Sequence, residues 1–78
     1  MEKKQAAMNY RGIVVRATAL QNEGKIWNVS LEFMRGVPEF CIHRKDSAVS
    51  GMDVDAVIAE AFGFAQIEID TNPALFRA

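Results

Sequence analysis

Lys25-Ile26-Trp27-Asn28-Val29-Ser30-Leu31-Glu32-Phe33-Met34-Arg35 is the stretch that decides the fold. Trp27, Val29, Leu31 and Phe33 fall on one side of an extended chain, and Asn28, Ser30 and Glu32 on the other. Period-two alternation of this kind marks a strand of an antiparallel sheet with one face packed and one face wet.

Working back from it, Asn22-Glu23-Gly24 reads as a hairpin loop, with Gly24 available for positive φ. Residues 10–21 then supply the preceding strand. Ile13, Val15, Ala17 and Ala19 make its apolar face, and Val14, Arg16, Thr18 and Leu20 its outer one. Residues 1–9 are polar and short of pattern, so a frayed tail or a loose helical turn is expected there.

Working forward, Arg35-Gly36-Val37-Pro38 is a turn. A third strand over 39–45 is expected to point Phe40 and Ile42 inward and Cys41 and His43 outward. Pro38 cannot donate to a ladder and suits the start of an edge strand. Residues 44–51 read as a connection. Asp53 is placed to cap a helix, and Asp55 sits where the helix dipole favours an acid. Val54, Val57, Ile58, Ala61, Phe62 and Ala65 follow helical spacing.

Two patterns compete beyond that point. Gly63-Phe64 resembles a helix stop, and Ala65, Ile67 and Ile69 alternate with Gln66, Glu68 and Asp70. On a continuing helix, Glu68 would fall inside the apolar arc and Ile67 outside it. Periodicity alone therefore favours a fourth strand at 64–70.

The order of features resembles a set of small uncharacterised proteobacterial proteins. The likeness rests on Tyr10-Arg11-Gly12, on Trp27, on Ala61-Phe62-Gly63-Phe64-Ala65 and on Ile69-Asp70. It spans most of residues 10–70 and implies one continuous closing helix. The β-β-β-α order is also similar to the cores of double-stranded-RNA-binding domains, of arm-binding domains of some integrases and of HicB-type antitoxins. That similarity is one of fold and carries no activity with it.

The expected fold is thus α+β: a three-stranded antiparallel sheet packed on one C-terminal helix, or β-β-β-α-β if 64–70 is a strand. Residues 10–70 form the domain, between tails at 1–9 and 71–78, and Leu75 and Phe76 are placed to fold back onto it. Trp27, Leu31, Phe33, Phe40, Ile42, Val57, Ile58 and Ala61 are expected in the core.

Composition narrows the function. The 78 residues suffice for one domain with a small core. Nine Lys/Arg against ten Asp/Glu give a net charge of −1, which does not favour phosphate-backbone binding. One cysteine excludes a disulfide within the chain. No apolar run approaches a membrane span or a signal peptide, so a cytoplasmic protein is expected. Cys41 and His43 lie two apart, but no orienting acid or oxyanion site accompanies them, and they make at most half of a zinc site. No catalytic residue, metal or cofactor is assigned.

The outer sheet face remains, carrying Arg16, Thr18, Asn28, Ser30, Glu32 and His43, with Val14, Leu20, Ile26 and Met34 exposed around them. The strand over 10–21 also reads as an unprotected edge, which suggests a homodimer through it. The expected role is a non-enzymatic interaction module that binds a protein partner or itself. The alternative is a nucleic-acid-binding or antitoxin-like regulator using Arg16, Arg44 and Lys45.

Overall fold

A computed structural model describes residues 2–76; Met1, Arg77 and Ala78 lie outside the described residues. Its elements are β1 (Lys3–Tyr10), β2 (Ile13–Gln21), β3 (Trp27–Arg35), β4 (Phe40–Gly51), α1 (Val54–Thr71) and the short α2 (Pro73–Phe76). The four strands form one antiparallel meander in the order β1-β2-β3-β4. The α+β class is as expected, but the sheet has four strands.

The additional strand lies at the N-terminus, where a tail was expected. Ala6 pairs with Ala17, Met8 with Val15 and Tyr10 with Ile13, so these three share the packed face and are half-buried. The pattern was faint because β1 is an edge strand whose outward residues are polar or small. Its turn was hidden for another reason. Arg11 and Gly12 both have positive φ, 52° and 81°, as a two-residue hairpin requires. Arginine is not a usual residue there. Here Arg11 is held by an Nε–Asp70 Oδ1 ion pair of 2.8 Å and by its place over the Tyr10 ring. Its pKa is raised from the ordinary value, first by the Tyr10 side chain and then by the Asp70 charge.

With β1 in place, the strand over 10–21 has a neighbour on each side. The free edge on which a homodimer was expected is therefore occupied. In the next loop Lys25, not Gly24, takes the positive φ, while Asn22 Oδ1 accepts from the Gly24 and Ile26 amides at 2.9 and 3.0 Å.

β4 departs furthest from expectation. It runs twelve residues against nine in β3, although its ends pair squarely with the ends of β3. The surplus is taken up in two bulges. Ile42 is inserted between the pairs Phe33–His43 and Met34–Cys41, and a wider bulge at 46–48 lies opposite Ser30. The first insertion inverts the alternation, so His43 lies opposite the core residue Phe33. Phe40 is 57% exposed and lies outside the expected core, whereas Ile42 is half-buried and packs against the core's margin. The second bulge broke the period within 44–51, and that segment read as a connection.

α1 is continuous through Gly63, which excludes the alternative strand at 64–70. Asp53 caps it as expected, accepting from the Asp55 and Ala56 amides at 3.1 and 3.3 Å. At the other end, Asn72 donates its backbone and side-chain N–H groups to the Glu68 carbonyl at 3.1 and 3.0 Å. A Cβ built on Gly63 would meet nothing within 4 Å. Gly63→Ala is therefore expected to raise the unfolding free energy by about 0.5–1 kcal/mol, read as a higher urea midpoint at unchanged slope.

The helix covers one face of the sheet. Ile13, Val15, Ala17 and Ala19 meet Trp27, Val29, Leu31, Phe33 and Val49 below it, and Val57, Ile58, Ala61, Ala65 and Ile69 from it. Alanines on both sides allow a close approach. At Gly51 the approach is closest, since a Cβ there would lie 2.6 Å from Val57 Cγ1. Phe76 folds back as expected, its ring 5.1 Å from that of Phe33, whereas Leu75 stays exposed. No described helix is long and apolar enough to cross a membrane.

α1 is pinned to β1 along its length. Lys4 pairs with Asp55, Gln66 Nε2 lies 3.8 Å from Met8 Sδ, and Tyr10 Oη donates to Asp70 Oδ2 at 2.7 Å. The fit is commensurate: fifteen residues of helix and six of strand both span about 20–22 Å. On the opposite flank of α1, above β4, the polar links converge on one residue, Glu68, which faces His43 and Lys45.

Candidate functional site

The sheet offers an open face, and the β4 flank of α1 offers a groove. Cross-strand register orders the open face into rows. Ala7, Arg16, Glu32 and Arg44 form one row; Gln5, Thr18 and Ser30 form the next; Lys3, Leu20, Asn28 and Ser50 form a third. Arg16, Thr18, Asn28, Ser30 and Glu32 are thus brought together as expected.

Their polar groups are largely engaged with one another. Gln5 donates to Thr18 Oγ1 at 3.2 Å, and Arg16 lies 4.0 Å from Glu32. The Ser47 amide donates to Ser30 Oγ at 3.3 Å, and Arg44 pairs with Asp46 at 3.0 Å. Of the apolar residues expected to stand exposed there, Leu20 does, while Val14 and Ile26 are half-buried and Met34 is 9% exposed.

His43 does not belong to this face. The bulge at Ile42 turns it to the helix side, where its ring lies 5.3 Å from Phe33 and meets Phe76 edge-on at 6.0 Å. Cys41 lies opposite Met34 on the other face, and its thiol donates to the His43 carbonyl at 3.2 Å. Thiol and imidazole therefore diverge. The run 43–45 is divided in the same way: Arg44 pairs with the open face through Glu32, and Lys45 lies opposite the core residue Leu31.

The groove between β4 and α1 collects the residues left over. Its floor is Leu31, Phe33 and Ala65, with Ala48 and Lys45 on the β4 wall and Phe64, Ile67 and Glu68 on the helix wall. The recess holds about 220 Å³. Glu68 sits between two bases, with Oε1 3.6 Å from His43 Nε2 and Oε2 3.9 Å from Lys45 Nζ. Phe64 and Ile67 stand beside the recess, 49% and 59% exposed.

Sequence reading missed this site, yet its signal was present. Glu68 inside the apolar arc and Ile67 outside it were the two residues that spoke against a helix. Both have a physical account here. Glu68 faces His43 and Lys45, and Ile67 borders a groove that no element of the fold fills. Violations of a local pattern concentrate at places where structure serves something besides its own packing.

The groove presents an apolar bed with one polar cluster at its side, an arrangement that holds apolar groups and orients them. Among the described residues, no cluster of three or more His, Cys, Asp or Glu side chains is arranged to hold a metal ion. No family model, characterised protein or solved structure matches this chain.

Proposed function

We propose that this domain is a non-enzymatic interaction module that seats an apolar side chain of a protein partner in the groove between β4 and α1. The observation that carries the reading is the pairing of an open apolar recess with two large exposed side chains, Phe64 and Ile67, at its rim. Leaving such residues half in water forgoes roughly 1–1.5 kcal/mol each relative to full burial. The β1 flank of the same helix carries three polar links spread along its length, whereas on the β4 flank both links converge on Glu68 and leave the recess beside Phe64 and Ile67 uncovered.

The open sheet face supports a partner less well. Arg16 lies beside Glu32 across one row, Arg44 is paired with Asp46 along β4, and of its apolar residues Met34 is buried while Val14 and Ile26 are half-buried. A nucleic-acid surface built on Arg16, Arg44 and Lys45 would need these cations on one face, and the register sends Lys45 to the other.

The test uses N-acetyl-phenylalaninamide as a stand-in for the apolar anchor, titrated into isotopically labelled protein while amide shifts are followed. Saturable shifts at Lys45, Ala48, Ile67 and Glu68 are expected, with millimolar affinity for so small a probe, about −4 kcal/mol. Shifts spread evenly over the surface, or centred on Arg16 and Ser30, would overturn the assignment.

A further inference from the structure

We infer that α2 is an autoinhibitory strap: Phe76 fills the far end of the β4–α1 channel from within the chain, and its release opens that end to an aromatic side chain of the partner. The inference rests on the recess being a binding surface, as proposed above, and adds what limits it.

The recess and the seat of Phe76 are two parts of one channel. Ala48, Lys45 and His43 follow one another along β4, and the last two face Glu68 of α1. At His43 the open part ends, because the Phe76 ring lies edge-on to the imidazole at 6.0 Å and 5.1 Å from the ring of Phe33. Phe33 belongs to both parts, since it floors the recess and carries Phe76. One of the chain's own residues thus shows what this channel takes, an aromatic ring laid against Phe33. Phe76 is 3% exposed while its neighbour Leu75 is 40% exposed, so α2 enters the channel by a single side chain, as a short peptide anchor does.

The strap is lightly attached. It has four residues, of which Phe76 alone is buried. Asn72 is its joint, with a carbonyl that accepts from the Leu75 and Phe76 amides at 3.1 and 3.2 Å. Among the described residues, the side-chain hydrogen bond that ties it to the sheet is that of Arg35, whose Nη1 donates to the Phe76 carbonyl at 3.2 Å. Seating one phenylalanine ring favours the closed strap by roughly 10- to 150-fold. α1 buries five residues, so the strap opens while the helix stays docked. A free ligand for the seat is weakened by the fraction of time that the tethered ring leaves it empty.

The capped peptide N-acetyl-Pro-Ala-Leu-Phe-amide, which repeats the sequence of the strap, tests the inference when titrated into the isotopically labelled full chain. In the wild type it competes with the tethered copy and binds weakly. Phe76→Ala empties the seat and is expected to bind the peptide at least about tenfold more tightly, with amide shifts centred on Phe33, Arg35 and His43. Pro73 is exposed, and Pro73→Gly keeps both ring and seat while loosening the joint. That variant is expected to gain about two- to fivefold. Equal affinity in the wild type and Pro73→Gly, or a dispersed Phe76→Ala spectrum that the peptide does not shift at Arg35 and His43, overturns the inference. Recess shifts from N-acetyl-phenylalaninamide without a gain in either variant would overturn the strap alone. A gain in both variants with a silent recess would overturn the groove assignment and leave the Phe76 seat standing.

Discussion

Phe33→Ala is expected to lower the unfolding free energy by about 3–5 kcal/mol. Phe33 is fully buried, lies opposite Val15 on one side and His43 on the other, and packs its ring on those of His43 and Phe76. Truncation leaves a void at the end of the core and removes the surface on which α2 rests. A chain of this length has a total stability of roughly 4–12 kcal/mol, so the variant should be marginal or unfolded at 25 °C. Urea denaturation followed by Trp27 fluorescence gives the value. Phe40→Ala is the control, because the same reasoning from sequence placed both rings in the core. With Phe40 57% exposed, its truncation should change stability by no more than about 0.5 kcal/mol. Equal losses from the two variants would sink the account of β4.

Removal of residues 1–10 is expected to abolish the cooperative fold. Sequence reading treats most of this segment as a tail, and a tail can be cut without loss. In the structure it is a paired strand that half-buries Ala6, Met8 and Tyr10. Met8 and Tyr10 contribute about 1–2 kcal/mol each at partial burial. Their loss takes with it the links to Asp55, Gln66 and Asp70 that hold the helix on this side. The sum, about 2–4 kcal/mol before the lost ladder is counted, is a large share of the stability of a domain this small. Thermal melting and the amide spectrum of the 11–78 fragment decide the matter. A wild-type midpoint in that fragment would show that β1 does not hold the sheet.

What was legible in the sequence tracks the strength of the burial signal. β2 and β3 are central strands with one strictly apolar face each, and their facings were read correctly residue by residue. The N-cap at Asp53 was readable because its chemistry is local. Both edge strands were misread, for different reasons. β1 carries alanine, methionine and lysine where a strand signal needs β-branched residues, and its turn places an arginine at positive φ. β4 alternates correctly only between bulges, and a single inserted residue exchanges the faces of every residue beyond it. His43 was assigned to the wrong face on that account, while the five other candidates lay on strands without insertions. The helix end was ambiguous because Ile67 and Glu68 answer to the groove as well as to the core.

The surplus residues of β4 bear on what cannot attach to this sheet. A meander leaves two open margins, and an open margin is a template on which further strands can be laid without limit, as in fibrils. β4 meets its own partner β3 only by bulging out residues at two places. Another straight strand would find a ladder out of step twice within its length. The β1 margin begins with Lys3, which forms no ion pair among the described residues and whose charge repels a like neighbour laid in parallel register. Growth by strand addition is thus hindered at both ends of the sheet, by broken register at one and by charge at the other.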